Sequence, residues 1–119
     1  MDYSKLSDFE IDKAVADALG IDYEIAIMFV SPVDKINGNH TEEYVRKKIT
    51  SNEKHWKRFS PTRISNDAFH IIKANRISLR NRYEGDWKAE SEWGEYHFHV
   101  ACNPLRAAMV VFLMMQEDK

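Results

Sequence analysis

The chain has 119 residues, 44% of them hydrophobic, and a formal net charge of −2. That supports one hydrophobic core and hardly two, so a single domain over residues 1–119 is expected. The lone cysteine, Cys102, excludes an intrachain disulfide and a cysteine-based zinc cluster, and favours a reducing compartment. The opening Met1-Asp2-Tyr3-Ser4-Lys5-Leu6 has neither the apolar run of a secretory signal nor the arginine-rich character of a transit peptide, so a cytoplasmic location is expected.

The first element is a helix. Ser7 lies three residues before Glu10, the spacing of a capping box, with Leu6 placed to staple onto Ile11 and Gly20 to stop the helix. Its expected buried stripe is Ile11, Val15, Ala18 and Leu19, leaving Asp8, Asp12, Lys13 and Asp17 outside. Tyr23 to Val30, bounded by Ser31-Pro32, reads as a strand. Asn37-Gly38-Asn39 reads as a turn or loop. Thr41 to Ile49 reads as a short helix, because Thr41-Glu42-Glu43 precedes Arg46-Lys47-Lys48 in the charge order a helix dipole prefers.

Asp67 to Ala74 is the next predicted helix, capped by Asn66 or Ser65 and burying Ala68, Ile71 and Ile72 before it ends near Asn75. The period then changes to two. Ile77 to Arg82, Trp87 to Glu92 and Tyr96 to Val100 alternate, with turns at Glu84-Gly85-Asp86 and at Gly94, which predicts a three-strand meander. Alternation assigns Ile77, Leu79, Trp87, Ala89, Tyr96, Phe98 and Val100 to the core face. Arg80, Arg82, Lys88, Glu90, Glu92, His97 and His99 fall on the other.

The last element starts at the cap Asn103 with Pro104 in the first helical position, and from Leu105 to Met115 only Arg106 is charged. A helix apolar almost all round must be covered, and this one is about half the length a bilayer requires. Membrane insertion is therefore not expected. The covering could come from a homodimer in which Val110, Val111, Met114 and Met115 cross a twofold axis, or from the chain's own sheet and helices. The expected fold class is α+β: a three- to four-stranded, mainly antiparallel sheet packed with N-terminal, middle and C-terminal helices.

The opening Met1-Asp2-Tyr3-Ser4-Lys5-Leu6-Ser7-Asp8-Phe9-Glu10-Ile11, the central Asp67-Ala68-Phe69-His70-Ile71-Ile72 with Asn75-Arg76-Ile77-Ser78-Leu79, and the closing Asn103-Pro104-Leu105-Arg106-Ala107-Ala108-Met109 resemble the NinX-like phage and prophage proteins. Trp87-Lys88-Ala89 is similar to that family's second meander strand, whereas residues 22–60 carry none of the likeness. The resemblance implies an alpha-beta-alpha sandwich domain and a small phage-encoded accessory protein. It brings no established activity, cofactor or catalytic residue.

Charge segregation is the feature with the clearest bearing on function. Between Arg46 and Arg82 eleven basic residues stand against the acids Glu53 and Asp67, while both flanking segments are acidic. Arg46, Lys47, Lys48, Trp56, Lys57, Arg58, Arg63, Arg80 and Arg82 are accordingly the candidate contacts for a partner protein or nucleic acid, with Trp56 and Phe59 interleaved as stacking groups. Trp93, Tyr44, Trp56 and Tyr83 are candidate aromatic anchors for a protein partner. The same bases could instead pair with the chain's own acidic segments.

His97, His99 and Cys102 have a spacing that could contribute to a metal site, but no further ligands stand at recognisable spacing, and no metal or cofactor is expected. Asp67 at a helix start reads as a dipole contact rather than a general base. Gly-x-Ser-x-Gly, the phosphate loop and His-Glu-x-x-His are all absent from the sequence, so a non-enzymatic protein is expected, with a small enzyme as a remote alternative. The expected partner is a host or phage protein, bound so as to blunt a host defence or redirect replication. Nucleic acid bound by the basic segment is the alternative.

Overall fold

In the computed structural model, which describes residues 2–29, 33, 38, 41–48, 56–92 and 97–118, the first helix α1 (Asp8–Leu19) begins at the capping box. Ser7 Oγ accepts from the Glu10 backbone N–H at 3.1 Å, and the Glu10 carboxylate accepts from the Ser7 N–H at 3.2 Å. Gly20 ends the helix in the left-handed region at φ 68°, where a side chain would be strained. The buried stripe differs from the expected one. Ile11, Asp12, Val15 and Ala16 are buried, while Ala18 and Leu19 are exposed, because the loop before the second helix approaches α1 on the Asp12 side and satisfies its carboxylate.

Two three-stranded antiparallel sheets follow, where the sequence pattern predicts one. The first contains β1 (Tyr23–Phe29), β2 (Thr41–Lys48) and β3 (Trp56–Arg58), in that order. The segment predicted to be helical is thus a strand, with Ile49 lying outside the described residues. Its acid-then-base order suits a helix, but Tyr44 and Val45 are adjacent and give no apolar helical stripe. Pairing with all seven residues of β1, from Tyr23↔Lys47 to Phe29↔Thr41, supplies the backbone partners that decide the matter.

The second helix, α2 (Ser65–Ala74), starts two residues before its expected position, and Ile64 occupies the cap position with no side-chain cap. Ala68 and Ile71 are buried and Ile72 is half-buried, as their spacing predicts. A Schellman closure ends α2: Arg76 N–H donates to the Lys73 carbonyl and Ile77 N–H to that of Ile72, with Arg76 at φ 52°. The meander is β4 (Ser78–Asn81), β5 (Trp87–Glu90) and β6 (Phe98–Ala101).

Register corrects the face assignment of β6. Leu79, Ala89 and His99 stand opposite one another, as do Arg80, Lys88 and Val100, so His99 shares the inner face with Ala89. Phe98 is exposed instead of buried. The pairing of β6 with β5 decides which of its faces turns inward, and a reading of one strand at a time cannot see that. Tyr96, Trp93 and the Gly94 turn lie outside the described residues, as do Val30, Ser31-Pro32, Asn37 and Asn39.

The closing helix α3 (Pro104–Glu117) is capped as expected, with Asn103 Oδ1 accepting from the Leu105 N–H at 2.9 Å. It packs against α1, α2 and all three strands of the second sheet. Ala107 through Leu113 are buried, Val110 and Val111 completely. These two valines therefore do not form a dimer surface: the chain's own elements cover them, and Met114 and Met115 pack half-buried at the same core. One apolar cluster joins α3 to Ile11 and Val15 of α1 and to Val45 and Phe59 of the first sheet and the residue that follows it. Each fully buried aliphatic side chain there contributes about 1.5–3 kcal/mol relative to exposure.

Candidate partner-binding face

The first sheet has two chemically different faces, and its register sorts the basic residues between them. Val45, Lys47, Lys57 and Phe59 lie on the inner face, towards α1 and α2. Arg46, Lys48, Trp56 and Arg58 lie on the outer face with Glu24, Met28, Glu42 and Tyr44.

Arg46 and Arg58 are direct cross-strand neighbours, a placement that would be repulsive by itself. Each guanidinium is instead held over an aromatic ring: Arg46 lies 5.1 Å from the Trp56 centroid, and Arg58 5.8 Å from that of Tyr44. Arg46 also pairs with Glu24 on the neighbouring strand. Met28, Tyr44, Arg46, Trp56 and Arg58 line a shallow recess of about 310 Å³. The result is a patch of delocalised cations and rings, with a thioether beside it and the Glu24 carboxylate paired with Arg46.

The other candidate bases do not converge on this patch. Arg63 faces Asp8 at 3.4 Å and Glu42 at 3.9 Å. Arg80 faces Glu90 at 3.9 Å, and Arg82 faces Glu84 at 3.1 Å and Asp86 at 3.4 Å, all on the second sheet or its hairpin. Tyr83 is fully exposed in that same hairpin. The outer-face cluster is legible in the sequence once residues 44–48 and 56–59 are read with period two, since Tyr44-Val45-Arg46 and Trp56-Lys57-Arg58 then alternate between faces.

The histidines and the cysteine separate. His97 Nε2 lies 2.6 Å from an Asp118 carboxylate oxygen at the end of α3. His99 is held below the usual imidazole range by burial first and by the nearby Arg106 charge second. Cys102 is exposed. Among the described residues no group of three or more His, Cys, Asp and Glu side chains is arranged to hold a metal, and no helix is long and apolar enough to cross a membrane.

A polar junction that carries no sequence signal stands behind this sheet. Asp12 of α1 accepts from Ser60 Oγ at 2.7 Å and from the Thr62 N–H at 3.0 Å, and Asp67 of α2 accepts from the Ser60 N–H at 3.0 Å. Asn103 Nδ2 donates to the Thr62 carbonyl at 2.6 Å. Three helices thus hold the loop that leaves β3 and fix the sheet relative to the core. Arg106 completes the framework, donating to Asp8 at 2.8 Å and to the Leu6 carbonyl at 2.5 Å.

Residues 2–116 match the protein family described as Bacteriophage P22, NinX. No curated protein matches the chain.

Proposed function

Since the chain belongs to the Bacteriophage P22 NinX family and so is a phage accessory protein, we propose that it works without catalysis, by binding a host or phage protein across the outer face of its first sheet. The observation that carries this reading is the pair of arginine–aromatic stacks, Arg46 with Trp56 and Arg58 with Tyr44, around one recess. Tryptophan, tyrosine and arginine are the residue types that dominate binding energy at protein interfaces. Glu24 gives the face mixed sign, which suits a protein surface better than a phosphate backbone. The setting we assign is the cytoplasm of the infected bacterium, and occupying a component of host defence is the use we favour.

Nucleic acid is the second reading, favoured by the same rings and by Arg46, Lys48 and Arg58 beside them, since an open sheet face of this kind can stack unpaired bases. Against it, Lys47 and Lys57 face inward and Arg63, Arg80 and Arg82 are paired with acids.

The deciding experiment captures partners from infected cells with the wild type and with a Trp56→Ala, Arg58→Ala double variant, with and without nuclease. The expected outcome is a protein retained by the wild type, lost with the variant and indifferent to nuclease. Capture that survives the double variant, whose fold is checked by circular dichroism, removes this face from the proposal. Capture abolished by nuclease transfers the reading to nucleic acid.

A further inference from the structure

On the inner side of the first sheet, Lys47 of β2 and Lys57 of β3 stand directly opposite each other. Like charges in this position destabilise a sheet. Arg46 and Arg58 on the other face have rings and a carboxylate to answer them, but among the described residues neither Lys47 nor Lys57 has an ion-pair partner. Lys47 lies over the Phe59 ring, its ammonium 5.6 Å from the centroid.

Both lysines, Lys47 half-buried and Lys57 exposed, line an open cavity of about 420 Å³ between the sheet, the end of α1 and the first turns of α2. That volume lies within the range of small-molecule sites. Phe59, Ile21 and Ile71 contribute apolar lining, and Asn66 and His70 of α2 add hydrogen-bonding groups. Asp67 is the only carboxylate in the described lining, and it is engaged by the Ser60 N–H at 3.0 Å. Among the described residues, then, two ammonium groups without an ion-pair partner stand beside an apolar surface that includes an aromatic ring.

We propose that this cavity is a binding site for a small phosphate monoester with an apolar or aromatic body, of mononucleotide size, whose phosphate sits between Lys47 and Lys57. A dianion placed there turns the facing cations from a repulsive pair into a chelating one. The body lies along Phe59, Ile21 and Ile71, and Asn66 and His70 supply orientation. The site is independent of the outer face, from which the sheet itself separates it.

Calorimetric titration of the full chain with inorganic phosphate, AMP and adenosine at constant ionic strength tests this. AMP is expected to bind saturably and more tightly than inorganic phosphate, because only AMP also uses the apolar lining, and adenosine to bind far more weakly. Lys47→Gln and Lys57→Gln should each weaken AMP by at least about tenfold. Their ligand-free thermal midpoints should equal or exceed that of the wild type, because the repulsion is relieved, while Lys57→Arg retains binding. Trp56→Ala should leave AMP affinity unchanged, which keeps this test separate from that of the outer face. The proposal is overturned if AMP shows no saturable binding at millimolar concentration, if adenosine binds as well as AMP, or if the two glutamine variants bind AMP as the wild type does.

Discussion

Ser60 Oγ and the Asp12 carboxylate, 48 positions apart in the chain, meet at 2.7 Å in the interior. The same carboxylate accepts the Thr62 N–H, so α1 holds the loop between β3 and α2 through one buried side chain. Asp12→Ala leaves a buried backbone N–H and a hydroxyl unsatisfied and is expected to cost about 2–3 kcal/mol, read from chemical denaturation. Burial, the largest influence on this carboxyl, raises it above its ordinary value of 3.8 against the opposing hydrogen bonds. The folded state then binds the proton more tightly than the unfolded state. Relative to Asp12→Asn, the wild type should therefore gain stability as pH falls towards 3.8, and lose that advantage as pH rises through the folded-state value. A constant difference across that window would mean that the carboxyl is not desolvated.

Phe112 sits in the middle of the α3 segment that the rest of the chain encloses, 2% exposed. Phe112→Ala should cost about 3–5 kcal/mol, much of the stability of a domain this small. Thermal and denaturant melts measure it, and a shift of a degree or two would place α3 at the periphery.

Phe98 tests the register of the second sheet. It is 54% exposed on the outer face, where its ring lies under the Lys88 ammonium at 4.7 Å. Phe98→Ala should therefore cost only about 0.5–1 kcal/mol, the scale of an exposed cation–π contact rather than of a core aromatic. A loss like that of Phe112→Ala would restore the face that simple alternation predicts.

Arg76 occupies a left-handed conformation at φ 52°, in the position after the α2 cap where glycine is the common choice. Its ion pair with Glu92, 3.6 Å long, is largely solvated and contributes little. Arg76→Gly should raise stability by up to about 1 kcal/mol, the relief of the conformation less the added freedom of the unfolded chain. Equilibrium unfolding checks the sign.

Both ends of the chain are legible because their signals are local. The Ser7–Glu10 box, the Gly20 stop and the Asn103-Pro104 start each act within one helical turn, and each appears where its spacing places it. Thr41 to Lys48 is not legible in this way. Its charge order acts over a helical turn, whereas the hydrogen bonds that make it a strand come from β1, a separate segment. The candidate bases divide similarly: their number is a property of the sequence, but their separation into an outer cluster, an inner lysine pair and surface ion pairs follows from register.

The helix caps, the existence of the meander, the α+β class and a closing helix too apolar to stand uncovered are all written in the order of the residues. They follow from propensity, spacing and hydrophobic burial, which act on neighbours along the chain. Three features came instead from the assembled fold: the face of β6 that turns inward, the place of Asp12 rather than Ala18 within the core, and the covering of Val110 and Val111 by the chain itself. Strand phase and the partners of a buried polar group depend on contacts between distant segments, and a one-residue change of register exchanges the two faces of a strand.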